Sequence, residues 1–153
     1  MISMRSKYGL KALGYMARTS DKESFLIADI AQAEGIPKKF LEAILLTLKN
    51  NGILSSRKGP GGGYSLAKAA TAITIGAVVR SFEGDLAPVP CLSESSHASC
   101  PECSDEDTCG TKLVMADVEK AVSSVLDSVT LADMLQRSEF ERQKKRQVVD
   151  FAI

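Results

Sequence analysis

The sequence predicts a mainly α-helical fold with one small β-hairpin, closed by a long helix suited to dimerisation. Three observations predict it. Two short helical patterns meet at a Gly-Ile turn, the run Gly59-Pro60-Gly61-Gly62-Gly63-Tyr64 follows them as a hairpin, and residues 111–129 carry an apolar helical stripe after the core is complete. With 153 residues and 44% hydrophobic content, the chain has enough material for one domain with a real core.

Residues 5–19 place Leu10, Leu13, Met16 and Ala17 at helical spacing, with Arg5, Lys7 and Lys11 on other faces. A second, short helix covers Ala28–Glu34, carries Ile30 and Ala31, and stops at Gly35. Pro37 suits the first turn of a third helix, which runs through Phe40, Leu41, Ile44, Leu45 and Leu48 to Asn50, with Gly52 as its stop. Two helices about such a turn form a helix-turn-helix, and the second starts with Lys38 and Lys39, where a recognition helix meets base edges or flanking phosphates.

Ile53–Arg57 then reads as a strand, Gly59–Gly63 as a tip and Tyr64–Leu66 as the returning strand. Glycines this dense are costly unless the backbone must turn tightly or approach something closely. A wing does both, with Arg57 and Lys58 as its cations and a small tip that lets main-chain N–H groups reach phosphates. A nucleotide phosphate loop is excluded, because the Lys-Ser/Thr ending and the following helix are missing.

Thr74 caps a fourth helix through Ile75, Val78, Val79 and Phe82 to Gly84. Residues 85–109 show no periodicity and are longer than an ordinary connection, which calls for a functional reason such as a metal centre. In 111–129, Val114, Val118, Ala121, Val122, Val125, Leu126 and Val129 form the stripe; pairing with a second copy and packing within the chain both explain it. Leu131, Met134 and Leu135 make a short return helix, and the tail with Arg142, Lys144, Lys145 and Arg146 reads as a solvated end. The expected organisation is 1–84 for the DNA-binding head, 85–110 for the cysteine loop, 111–137 for the dimerisation and return helices, and 138–153 for the polar tail.

Charge is segregated along this plan. Residues 1–80 carry twelve Lys/Arg against five Asp/Glu, residues 81–110 carry seven acids and no Lys/Arg, and the remainder carries seven of each. The net charge of zero is therefore no description of the basic head, where a polyanion docks. No apolar run approaches the roughly 20 residues of a membrane span, and Met1–Lys11 lacks the apolar core of a secretory signal, so the expected compartment is the cytoplasm and no membrane partner is expected.

All four cysteines, Cys91, Cys100, Cys103 and Cys109, lie in the acidic loop among serines and carboxylates. Thiolates at these intervals can converge on one centre, and soft sulfur selects zinc or iron–sulfur clusters over hard cations. Cys100 and Cys103 form a close pair with His97 nearby, as zinc sites do, but the second close pair of a zinc ribbon is absent. Composition does not choose between the metals. Catalysis is not expected: His97 with Ser95, Ser96 and Ser99 lacks the mark of an orienting acid or an oxyanion site.

The segment Leu26–Leu66, with Ile30-Ala31, Gly35-Ile36, Phe40-Leu41-Glu42, Leu48, Asn51-Gly52 and Gly59-Pro60-Gly61-Gly62-Gly63-Tyr64, resembles the winged helix-turn-helix bacterial transcription regulators of the Rrf2 family. The cysteine loop and the ending Val125–Met134 resemble them too, so that the likeness covers residues 3 to about 137. It implies a homodimer whose long helix crosses between subunits, with Val114, Val118, Ala121, Val122 and Val125 as the seam, bound to roughly palindromic double-stranded promoter DNA. In cluster-bearing members three loop cysteines hold an iron–sulfur centre. Cys91, Cys103 and Cys109 stand in the matching order, and Cys100 is a further candidate for one of those places. Where some members have a histidine ligand three residues past the last cysteine, this chain has Lys112; where others have an acid on the first helix, it has Lys7. That favours an all-cysteine set or an external ligand, and a 4Fe-4S centre over 2Fe-2S; a cluster-free repressor and a zinc-stabilised winged-helix interaction protein are the alternatives.

The expected DNA face comprises Lys38, Lys39, Phe40 and Glu42 in the major groove, Arg57, Lys58, Gly61, Gly62 and Gly63 on the wing, and Tyr8 and Lys11 on backbone phosphates. Loading or loss of the cluster is expected to reorder residues 85–109 and so change the separation of the two recognition helices.

Overall fold

The computed structural model describes residues 2–19 and 21–151. Among them, six α-helices and one hairpin follow in the order α1 (Met4–Arg18), α2 (Ile27–Glu34), α3 (Lys38–Asn50), β1 (Leu54–Arg57), β2 (Gly63–Leu66), α4 (Ile75–Glu83), α5 (Gly110–Ser128) and α6 (Leu131–Phe151), with single 3₁₀ turns at Ala70–Ala72 and Pro90–Leu92. The mainly helical class with one antiparallel hairpin is as the sequence predicts.

Local chemistry sets the helix ends. The Ser3 hydroxyl accepts the Ser6 N–H at 3.3 Å to start α1, and Thr74 accepts the Ala77 N–H at 3.1 Å to start α4. Pro37 stands one residue earlier than expected: it is the cap of α3, not part of its first turn, and its carbonyl accepts the Leu41 N–H at 3.0 Å. Ile53 likewise stays outside the hairpin. Its N–H closes the end of α3 on the Leu48 carbonyl at 3.0 Å, and its carbonyl accepts the Ala67 N–H.

The core gathers around α1, which packs against α2, α3, α4 and α6. Leu13, Ile30, Leu41, Ile44, Leu45, Leu48, Val78 and Leu131 are fully buried there. Each such side chain contributes about 1.5–3 kcal/mol relative to exposure, so the single apolar face of α3 fastens the recognition helix to the body.

The largest departure from expectation is α6. The short return helix and the tail as far as Phe151 form one helix of 21 residues, and Ala152 and Ile153 lie outside the described residues. Residues 136–148 are exposed and hold no Gly or Pro; Gln, Arg, Glu and Lys are good helix formers, and Arg142 pairs with Glu139 at 3.6 Å one turn away. Charge made the segment look like a loose end, but propensity and pairing within the turn keep it helical.

Candidate functional site

The burial of Leu41, Ile44, Leu45 and Leu48 turns the opposite face of α3 outward, where Lys38, Lys39, Phe40 and Glu42 are all exposed. Tyr8 of α1 meets the edge of the Phe40 ring, with centroids 5.7 Å apart at 85°, and so props the start of the recognition helix. Lys11 is committed within the protein: its ammonium donates to the Glu34 carbonyl at 2.7 Å and lies 3.8 Å from that residue's carboxylate, which Arg18 also holds at 2.8 Å. It thereby satisfies the C-terminal end of α2 beside the helix-turn-helix corner. The sequence reading missed Leu46, which is 50% exposed on the same face as Glu42 and Ala43. The available signal was that Leu46 falls off the apolar stripe of α3.

The hairpin pairs Leu54 with Leu66, Ser55 with Ser65, Ser56 with Tyr64 and Arg57 with Gly63. A third segment fastens it. Phe25 and Tyr64 exchange both main-chain hydrogen bonds at 2.8 and 2.9 Å, and the Ser24 hydroxyl donates toward the carbonyls of Gly61 at 2.9 Å and Gly62 at 3.2 Å. Arg57, Lys58 and Gly61 remain exposed at the tip. Gly62 is buried instead. Its N–H is taken by the Gly59 carbonyl at 2.9 Å, and an added Cβ would strike the Arg57 carbonyl. Gly62 shapes the wing from within rather than facing outward.

The loop after α4 is tied down by two carboxylates. Asp85 accepts from the Ser95 N–H at 3.1 Å and from the Ser93 and Ser95 hydroxyls at 2.8 Å, which hold its carboxyl down at about 2. Glu106 accepts from Lys112 at 2.8 Å, from the Ser99 hydroxyl and from His97 at 3.1 Å, and these partners, Lys112 foremost, hold it at about 2. Because Lys112 is in the first turn of α5, Glu106 clasps the cysteine loop to that helix. The acids were visible in the sequence only as a charge count, since neither has a periodic or motif signature.

The same bonds bear on catalysis and on metal binding. Ser95 and Ser96 turn to Asp85 and Ser93, and both His97 and Ser99 turn to Glu106, so none of these three hydroxyls is paired with the imidazole as a nucleophile. Cys91 is buried in its 3₁₀ turn, Cys103 and Cys109 are half-buried, and Cys100 is exposed. Among the described residues, no three His, Cys, Asp or Glu side chains stand close enough together to hold a metal ion. The loop carboxylates bind the loop's own hydroxyls and N–H groups. The thiols are still neighbours: Cys103 is pushed up by partial burial and then by Cys109, Glu106 and Cys100, against a lowering by the Asp105 N–H. Four soft donors on 19 residues, one buried and two half-buried, suit a thiophilic centre by donor identity.

Releasing the clasp is expected to open the loop. Glu106→Gln should speed amide exchange across residues 94–108 at neutral pH while leaving α3 unchanged; equal exchange in both proteins would show the clasp to be idle. The folded state favours the charged form of Glu106, so its contribution is present above an ordinary value of 4.5 and is lost as pH falls from there toward about 2. Wild-type protection across residues 94–108, taken relative to intrinsic exchange at each pH, should fall over that window.

On α5, Leu113, Val114, Val118, Val122 and Val125 are 42–60% exposed, whereas Leu126 and Val129 are half-buried. Packing within the chain therefore covers only the end of the stripe. That end is stitched to the head: Ile75 N–H donates to the Val129 carbonyl and Leu131 N–H to the Ile73 carbonyl, both at 2.8 Å. Arg80 forms a two-pronged pair with Asp127 at 2.5 and 3.0 Å, directly over Gly76, where any Cβ would strike the carboxylate. None of the helices among the described residues is long and apolar enough to cross a membrane.

A buried-backed recognition helix, a fastened glycine wing and a long helix with an open apolar stripe define a winged-helix DNA-binding protein of the transcription-regulator class. The chain belongs to the Rrf2 family: the family model, described as an iron-dependent transcriptional regulator, matches residues 2–137. An rrf2-like HTH-type transcriptional regulator of Rhodobacter capsulatus is 43% identical over 138 residues, covering 88% of this chain and 92% of the relative. The HTH-type transcriptional regulator IscR of Erwinia tasmaniensis is 30% identical over 138 residues, covering 90% and 80%. Among solved structures, T. potens IscR aligns with a TM-score of 0.69 at 29% identity, over 90% of this chain and 88% of that one. CymR, the global cysteine regulator of B. subtilis, aligns with 0.72 at 28%, over 90% and 97%. The family and these relatives are regulators of transcription, not enzymes.

Proposed function

We propose that the chain is a homodimeric regulator whose grip on roughly palindromic promoter DNA responds to an iron–sulfur cluster held by Cys91, Cys103 and Cys109, with Cys100 as the fourth thiol. The observation that carries this reading is one continuous mechanical path. The cysteine loop is clasped to the first turn of α5 through Glu106 and Lys112, and the last turn of α5 is joined to the head through Arg80 and Asp127. When bound, such a cluster supplies sensitivity to oxidants, iron supply or nitric oxide. The protein's own residues do the rest. A loop held differently shifts the start of α5, α5 carries the open apolar stripe, and the head follows α5 as a unit. Because two recognition helices must match half-sites about 34 Å apart, small changes in their spacing translate into large changes in affinity.

Anaerobic purification followed by visible spectroscopy, with iron and sulfide analysis and promoter binding before and after cluster removal, tests this. A brown protein whose occupancy changes on removal supports it. A colourless zinc protein, or equal occupancy in both states, overturns the sensing role.

On the DNA face we assign Lys38, Lys39, Phe40 and Glu42 to the major groove and Arg57 and Lys58 to the wing. Lys58→Ala is expected to weaken binding to all sequences alike and to lower the salt slope by about one per protomer. Unchanged affinity would remove Lys58 from the interface.

A further inference from the structure

We propose that the basic end of α6 is a second DNA contact, taking phosphates of the duplex that flanks the site read by α3; this rests on the DNA-binding reading above. Residues 137–146 hold five bases, Arg137, Arg142, Lys144, Lys145 and Arg146, against two acids, Glu139 and Glu141. The family match ends at 137, so this stretch lies outside what the family model covers.

Helix geometry orders these charges. Ser138, Arg142 and then Lys145 and Arg146 follow at intervals of four, three and four residues, which puts them on one face of α6. That face is the one turned to α1. Leu135 stands beside Gly14, where a Cβ would lie 3.5 Å from it, and Ser138 and Arg142 line a groove of about 580 Å³ together with Lys7 and Lys11. The acid in the same groove, Glu34, already holds Arg18 and Lys11. Lys145 and Arg146 continue past the groove and are exposed.

The groove opens beside the recognition helix. Lys11 caps the carbonyl of Glu34, three residues before Pro37, and Tyr8 on the same helix props Phe40. Lys7, Lys11 and Arg142 line the groove, Lys145 and Arg146 lie further along the same face of α6, and Lys38 and Lys39 begin the helix that Tyr8 props. The first turns of α6 join the core through Leu131 and Met134, whereas residues 136–148 are exposed, and the face carrying Arg142, Lys145 and Arg146 suits a partner of opposite charge. A polyanion of regular spacing suits a cationic stripe at one-turn intervals. The chain's own acidic loop in a second copy is the competing occupant, and the experiment separates the two.

The full-length variant Arg142→Gln, Lys145→Gln, Arg146→Gln is compared with wild type on a duplex that wild type selects from a random pool. One version of the duplex ends at the selected site and the other extends one helical turn on each side. On the extended duplex the variant should bind roughly tenfold more weakly at moderate salt, with the salt slope lowered by up to about three per protomer. On the trimmed duplex the two proteins should bind alike, while Lys38→Gln weakens binding to both duplexes. An unchanged slope on the extended duplex, or an equal loss on both, overturns the proposal. A changed monomer–dimer equilibrium without DNA also overturns it, in favour of the acidic loop. Wild type selecting no duplex at all defeats the DNA-binding reading itself.

Discussion

Replacing Val118 and Val122 with glutamate is expected to leave a folded monomer that no longer holds a duplex with two half-sites. Both side chains are more than 40% exposed in the single chain, so the core of the head loses nothing when they change. In a pair of α5 helices they face a second copy, and four carboxylates would enter a seam otherwise made of Val114, Ala121 and Val125. Leaving one charge buried without a partner costs about 3–5 kcal/mol, which weakens the proposed pairing of α5 helices by a factor of about 10²–10³. Each head then binds its half-site alone and forfeits the gain of about 10²–10⁴ from linkage. Sedimentation should return the 16.4 kDa mass of one chain, with unchanged circular dichroism. If the variant sediments as a dimer with wild-type affinity, the stripe is not the interface.

The second large effect concerns the wing. Gly63 has φ +141°, and a Cβ there would collide with the Phe25 carbonyl. Gly63→Ala must therefore strain the backbone, at about 1–3 kcal/mol, or part the two hydrogen bonds between Phe25 and Tyr64, at about 1 kcal/mol each. The expected result is a wing freed from its third segment, a stability loss of about 2–3 kcal/mol in urea unfolding and a clear loss of DNA affinity. Gly61→Ala is the control: its φ is +72° with open space around it, so only the left-handed cost of about 1–2 kcal/mol applies. Equal losses at the two positions would mean that the fastening by Phe25 does not hold the wing in place.

Much of the head was legible because its signals are local. The period of Leu41, Ile44, Leu45 and Leu48 specified both α3 and its buried face, Thr74 marked the start of α4, and the glycine run admitted little besides a hairpin. The tail misled because charge and helix propensity point in different directions: residues 138–148 look solvated, and they are, yet they are helical. The site was legible as residue types and much less as contacts. Lys11 was recognisable as a cation near the first helix, but its bond to the Glu34 carbonyl depends on where α2 ends in space. Gly62 was one of three adjacent glycines, and only the packed hairpin separates the buried one from the exposed one.

The amino-acid sequence alone determined the order of the helices, the wing, the segregation of charge and the clustering of thiols, because each follows from neighbours within a turn or a short run. Tertiary structure alone decided that the α5 stripe is left uncovered, that Glu106 ties the cysteine loop to Lys112, and that Arg80 and Asp127 join head to helix. Those three join residues or surfaces brought together by the packed fold, and no local period encodes which side chain will find which partner.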